Sequence, residues 1–321
     1  MPHALLFYGR EGIGKLPFVE AFAQSLLCPS RAVNGMACGE CASCNWLAQG
    51  NHPDYRRILP EALETELPDS DDGEGDGKKS GKAAKTPSRE IKIDQVRTLA
   101  GFMNISTHRN GNRVVLIYPA ETLNTASANA LLKTLEEPPP ATVFLMLAHR
   151  IDRLLPTILS RCRQIALPMP SAEESLSWLK ARNVTDAETW LALEGGAPLA
   201  AFAHCESDSR DALPGLLTEL AKPGIDGALR SADKFQKVPL ALLVSWVQRW
   251  TYDLFSLKIS GTVRYYPRHR AQLQTLADIT ETPKLMHFLK SVNERRAVAD
   301  HPLSPRLFIE DMLLEYSALF P

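Results

Sequence analysis

Four cysteines and one glycine-rich loop ending in lysine are the residues of this chain whose types and spacing imply chemistry. Cys28, Cys38, Cys41 and Cys44 lie close together in sequence, and three of them form overlapping Cys-x-x-Cys steps, Cys38-Gly-Glu-Cys41-Ala-Ser-Cys44. Four thiolates suit a tetrahedral zinc ion, and short turns between successive cysteines let their sulfurs converge on it. A set that fills every coordination position is structural, one ion per chain, rather than catalytic. Buried free thiols and an iron–sulfur cluster are the competing arrangements. The strict spacing around a glycine favours zinc, and nothing nearby suggests electron transfer.

The second constellation is Gly9-Arg10-Glu11-Gly12-Ile13-Gly14-Lys15, which fits G-x-x-x-x-G-K. An apolar run, Ala4, Leu5, Leu6 and Phe7, precedes it as a buried strand. A helical pattern of Phe18, Phe22 and Leu26 follows. Strand, loop and helix in that order are the setting of a phosphate-binding loop, so Gly9, Gly12, Gly14 and Lys15 are its candidate nucleotide-binding residues. The next position should carry the hydroxyl that ligates Mg²⁺, and it is Leu16. The loop is therefore degenerate, and this chain is not expected to use ATP and Mg²⁺ productively. Its backbone N–H groups could still hold an anion passively. Only eight residues precede Gly9, fewer than such folds usually place before the loop.

The elements that must position these residues are legible in order. The totals allow two or three domains: 321 residues, a formal charge of −1, 45% hydrophobic and 23% charged. The near-neutral balance argues against an autonomous nucleic-acid binder. No apolar run approaches the roughly 18 residues of a membrane span, and the first residues do not read as a signal peptide. A helix is expected over 15–27, and a short strand over 55–59 after His52-Pro53-Asp54, to which no metal role is assigned. Residues 60–88 are nearly devoid of apolar side chains and are expected to be a disordered insertion. Asp94 is expected to cap a helix carrying Val96, Leu99, Ala100 and Met103. A buried strand over 113–118, a helix over 125–137 ending before three prolines, a strand over 142–148, a short helix over 153–163 and a last strand over 164–167 complete a parallel α/β sheet. The strand at 113–118 ends in Tyr118-Pro119, where a hydrolytic loop ATPase carries acidic residues. Glu121 lies further along and is expected to fall short of the site.

Five segments occur in a recognisable order and spacing: Gly9 to Lys15, the cysteine cluster, His52-Pro53-Asp54, NALLKTLEEPP at 129–139 and LLPTILSRCR at 154–163. On these the chain closely resembles the delta-prime subunits of the bacterial DNA polymerase III clamp loader, which have the AAA+ fold. The likeness covers residues 3–205 strongly and the C-terminal third only through helical pattern and length. The chain departs from the pattern in its short N-terminus, the insertion at 60–88 and Leu16. The resemblance implies an AAA+ domain over 1–170 with a zinc module at 28–44, a small helical lid over 171–206 and a helical collar over 207–321 that oligomerises a five-subunit ring. It implies that Ser160-Arg161-Cys162 supplies Arg161 as an arginine finger to ATP on a neighbouring subunit, a planar fork stabilising charge on the phosphoryl oxygens. Ser160 then belongs to the same motif, and Cys162 is a packed small residue. It further implies that a lid arginine of active subunits is missing here, because Gly195-Gly196-Ala197-Pro198-Leu199 stands in its place.

The leading expectation is thus a non-hydrolysing clamp-loader subunit, cytoplasmic and part of the nucleoid-associated replisome. Its partners would be gamma/tau ATPase subunits and the delta subunit, with the sliding clamp and primed DNA reached through the complex. The first alternative is an active ATPase of the gamma/tau type, favoured by Lys15 and the loop glycines and opposed by Leu16, Tyr118, Pro119 and Leu199. A zinc-dependent nucleic-acid-binding module is the second, opposed by the neutral charge. In the helical remainder, Ser171 and Glu174 form a capping box. The aromatic residues of 240–257 are expected to pack rather than bind a cofactor. The basic, aromatic stretch at 264–270 is expected to be a surface loop between helices.

Overall fold

The computed structural model describes residues 2–64, 87–104, 107, 111–299 and 304–320. The chain divides into two compact units, Met1–Met169 and Pro170–Pro321. The first contains β1 (Ala4–Tyr8), α1 (Lys15–Leu27), α2 (Ala42–Ala48), β2 (Tyr55–Ile58), α3 (Glu61–Glu64), α4 (Ile93–Asn104), β3 (Arg113–Ile117), α5 (Thr125–Glu136), β4 (Thr142–Ala148), α6 (Pro156–Leu159) and β5 (Arg163–Ala166). The strands form one parallel sheet in the order β2-β3-β4-β1-β5. β3 and β4 are buried throughout because helices cover both faces. Alternation assigns Val115, Ile117, Phe144 and Met146 to one face, packed with Leu99, Leu131 and Leu135 of α4 and α5. Val114, Leu116, Leu145 and Leu147 face the other way, against Val19 and Ala23 of α1. The parallel, helix-covered sheet matches the α/β expectation, with the glycine-rich loop joining β1 to α1.

Register determines what meets at the sheet's edge. Tyr8 pairs with Ala148, and Ile117 with Met146. The carboxyl ends of β1, β3 and β4 are therefore adjacent, and so are the residues that follow them: the Gly9–Lys15 loop, Tyr118 and His149. In parallel α/β sheets this edge is where ligands bind.

Two expectations need correction. Most of the segment at 60–88 lies outside the described residues, but its ends are ordered. Residues 61–64 form α3, the Glu61 carboxylate accepts from the Ser88 N–H at 3.0 Å and pairs with Lys92 at 2.6 Å, and the Ala62 N–H donates to the Ser88 carbonyl at 3.1 Å. Local ion pairing and hydrogen bonding order these ends without apolar burial. Asp94 is not the cap of α4. The helix starts at Ile93, and its entry is held by the Gln95 side chain, whose oxygen accepts from the Lys92 N–H at 2.9 Å.

Among the described residues the second unit is all helical: α7 (Ala172–Lys180), α8 (Ala187–Leu193), α9 (Pro198–Glu206), α10 (Ala212–Leu220), α11 (Ile225–Phe235), α12 (Leu240–Ser260), α13 (Arg270–Ile279), α14 (Thr282–Val298) and α15 (Pro305–Ser317). It has two cores. A small one joins Leu179, Ala187, Leu191 and Ala201 of α7 to α9. A large one is built around Trp246 and Trp250 of α12, both fully buried, with the Trp250 indole donating to Tyr316 of α15 at 2.8 Å. The aromatics of α12 thus pack against helices. The Ser171–Glu174 capping box forms. The stretch at 264–270 is a loop pinned from beneath: the buried Asp253 carboxylate accepts from the N–H groups of Arg264, Tyr265 and Tyr266 at 2.7–2.9 Å.

Candidate functional site

The loop between β1 and α1 has the conformation its glycines permit. Gly12 and Gly14 have φ of 76° and 95°, left-handed values that a side chain resists, and Gly14 caps α1. Gly9 serves packing. A Cβ there would come within 2.5 Å of the Leu167 carbonyl oxygen, just past β5.

Lys15 begins α1 and is only 3% exposed. Its ammonium donates to the Arg10 carbonyl at 2.5 Å and to His149 Nδ1 at 2.8 Å. His149 Nε2 lies 3.2 Å from the Tyr118 hydroxyl. Because Nδ1 accepts from an ammonium, the ring proton belongs on Nε2 and is donated to the tyrosine oxygen. Electrostatics agree with a neutral imidazole. Burial, followed by the Lys15 charge, lowers the His149 pKa. Burial also pushes the Tyr118 hydroxyl up to about 12, leaving it protonated at neutral pH. Desolvation lowers Lys15 to about 8, and the charges of Glu11 and Glu121 partly offset it.

Glu121 reaches this network, contrary to expectation. A short turn over 120–122 after β3 brings its Oε1 within 2.8 Å of the His149 N–H and 3.1 Å of the Arg150 N–H, so it braces the segment that carries His149. Its other oxygen, Oε2, is buried with no hydrogen-bond partner among the described residues. Leu16, where a hydroxyl would meet the metal, instead packs against the core around Val19, Phe7 and Leu147. The lysine that would hold phosphate is thus engaged from within the chain, and the residue after it faces apolar atoms.

His149 was not among the candidates read from the sequence. The available signal was its position as the first polar residue after the fully buried β4. Its partner Lys15 stands 134 residues away in the chain.

The cysteines meet as a cluster. All four sulfurs lie within 4.8 Å of one another, with Cys28–Cys38, Cys28–Cys41 and Cys38–Cys44 separations of 3.6, 3.9 and 4.0 Å. Tetrahedral zinc with Zn–S bonds of about 2.3 Å requires sulfur–sulfur edges of about 3.8 Å. The donor set therefore fits a metal ion of that size. Local structure accounts for the convergence: Cys28 ends α1, Gly39 turns with φ 79°, and Cys41 caps α2. The backbone amides of Glu40 and Cys41 bring the Cys38 thiol down to about 6, while burial pushes Cys44 up to about 12. A bound cation would deprotonate both. His52 stays outside the cluster: its Nδ1 accepts from the Asp54 N–H at 3.0 Å, and its ring lies edge-on to Trp46.

Arg161 follows α6, whose C-terminal cap is Ser160. Its side chain is about one third exposed. Nε donates to Glu136 Oε1 at 2.8 Å, and Nη1 donates to the Thr157 carbonyl at 2.9 Å and to Ser160 Oγ at 3.2 Å. The Cys162 thiol points into the core against the Met146 sulfur at 3.6 Å, and burial pushes it up to about 11, as befits a packing residue. The stretch at 195–199 lies where α8 turns into α9, and α9 starts at Pro198.

Comparison with known proteins places these features in a family setting. A family model described as "DNA polymerase III, delta subunit" matches residues 1–171. DNA polymerase III subunit delta' of Pseudomonas aeruginosa is 40% identical over 285 residues, covering 86% of this chain and 76% of that one. The Yersinia pestis delta' subunit is 31% identical over 307 residues, 90% of this chain and 81% of that one. For Escherichia coli delta' the figures are 32% over 222 residues, 68% and 59%. Matches of 285 and 307 residues are too long for the first unit alone, so the likeness extends into the second.

The burial of Lys15 generates a measurable expectation. In competitive acylation followed by mass spectrometry, its amine should titrate with a midpoint near pH 8, well below the roughly 10.4 of an ordinary lysine. A midpoint above pH 10, shared with the exposed lysines, would contradict the buried geometry.

Proposed function

This chain belongs to the delta-prime subunit family of DNA polymerase III, and from that membership we propose that it is a clamp-loader subunit that hydrolyses no ATP itself and serves a neighbour's ATP site. The observation that carries this reading is the internal engagement of Lys15 by the Arg10 carbonyl and His149. Leu16 and Tyr118 support it, because neither can ligate Mg²⁺ or activate water where a loop ATPase needs those functions. Gly9, Gly12, Gly14 and Lys15 then remain as the scaffold of a loop that turns the chain from β1 into α1.

The outward-facing chemistry is assigned to Arg161, with Ser160 beside it. Its guanidinium lies at the surface on the turn after α6, where it can meet an anion belonging to another chain. In trans it would stabilise the charge building on the γ-phosphoryl oxygens of a neighbouring ATP. The partners proposed are the gamma/tau ATPase subunits and the delta subunit, with the sliding clamp and primed DNA engaged through the assembled complex in the cytoplasm. Residues 171–206 are read as the lid bundle, around the small core of α7 to α9. Residues 207–321 are read as the oligomerising collar, around the Trp246–Trp250 core. The cysteine cluster is read as a structural zinc site. The ion would tie the end of α1 to the start of α2, contributing on the order of 10 kcal/mol to the stability of the folded module.

Elemental analysis of the purified chain should find about one zinc per molecule, and Cys41→Ser or chelation should lower the unfolding midpoint of the first unit. Zinc near zero in freshly purified folded protein, or an unchanged midpoint after chelation, would contradict the assignment. For the finger, Arg161→Ala should fold and assemble normally yet slow single-turnover hydrolysis at one ATP site of the reconstituted complex by about 10³- to 10⁵-fold. Equal single-turnover traces for the wild-type and mutant complexes would overturn it.

A further inference from the structure

Arg161 is not idle at the surface. Nε and Nη2 both donate to the same oxygen of Glu136, and Nη1 donates to the Thr157 carbonyl and to Ser160 Oγ. Every nitrogen of the guanidinium therefore has an acceptor within the chain. A γ-phosphate is recognised by the same fork of N–H groups that a carboxylate takes. Two anions cannot share that fork without repelling each other, so phosphate capture and the Glu136 contact compete.

Glu136 is poorly placed to follow the arginine outward. It is the last residue of α5, next to the fully buried Leu135, and Glu137 and three prolines come immediately after it. The prolines restrict the backbone on that side, and Leu135 anchors it on the other. Arg161 has four rotatable side-chain bonds, and its side chain is about one third exposed. The movable partner of the pair is thus the arginine.

Resting on the finger reading above, we propose that Glu136 is a positioning residue that parks Arg161 while no nucleotide faces it, and that the neighbour's γ-phosphate must take the guanidinium from this carboxylate. The competition is modest, because the pair is partly exposed and such pairs change an equilibrium by about two- to five-fold. Releasing the arginine costs affinity for the nucleotide that captures it. It leaves the transition-state contacts unchanged once capture is complete.

The test uses a reconstituted complex in which the ATP sites other than the one facing this chain are disabled. Glu136→Gln keeps the size and an acceptor oxygen but removes the charge. It should lower the ATP concentration for half-maximal turnover two- to five-fold and leave maximal turnover within two-fold of wild type. The difference should shrink at high salt, where the wild-type pair is screened. Arg161→Ala is measured alongside. If Glu136→Gln leaves half-saturation unchanged while Arg161→Ala is defective, parking is overturned and the finger stands. If Glu136→Gln lowers maximal turnover at constant half-saturation, the carboxylate aims the arginine rather than holding it back, and parking is again overturned. If Arg161→Ala behaves as wild type, the finger reading fails and the proposal fails with it.

Discussion

A buried ammonium must find acceptors, and Lys15 finds them inside its own chain. The Arg10 carbonyl and the neutral His149 imidazole accept from the ammonium that, in a phosphate-binding loop, faces phosphate. Everything around that lysine follows from the same constraint. Burial and the Lys15 charge keep His149 neutral, so its Nδ1 can accept from the lysine while Nε2 donates toward Tyr118. The backbone that carries His149 must be held still, and the Glu121 carboxylate does this through two N–H groups. The parallel register of β1, β3 and β4 makes the network possible, since it brings three sequence-distant strand ends to one edge.

The same sheet separates what is turned inward from what is turned outward. Leu16 and Cys162 sit beside residues with expected chemical roles, yet both side chains contribute to the apolar core. Arg161, one residue from Cys162, lies at the surface on the turn after α6. The loop and Arg161 depend on different strand ends and different contacts, so the proposed silence of the one and the proposed finger role of the other are structurally independent. The cysteine cluster is a third, independent element. Its geometry comes from the end of α1, a glycine turn and the cap of α2, none of which involves the lysine.

Much of this was legible in the sequence for identifiable reasons. β3 and β4 each carry a continuous apolar run, 114–117 and 143–148, because both their faces are covered, and such runs are conspicuous. The cysteine spacing is a local signal with few alternative meanings. The loop, its missing hydroxyl and the non-acidic end of β3 are each read from a few adjacent positions. Contacts across the fold were not legible. His149 meets Lys15 across 134 residues, and Arg161 meets Glu136 across 25. Glu121 looked too distant because a short helical turn that folds it back has no strong signature. The ends of the polar insertion looked structureless because ion pairs such as Lys92–Glu61 order a chain without the apolar pattern that marks a core. Asp94 looked like a cap by residue type, while Gln95 held that helix entry through a side-chain contact.

The proposed function requires that this chain's own loop do no ATP chemistry. ATP turnover by the purified chain alone, at micromolar concentration with Mg²⁺, tests it most directly. The expected result is no turnover above background, with Lys15→Ala indistinguishable from wild type. Turnover on the order of 1 s⁻¹, as in an ordinary enzyme, that disappears in Lys15→Ala would contradict it.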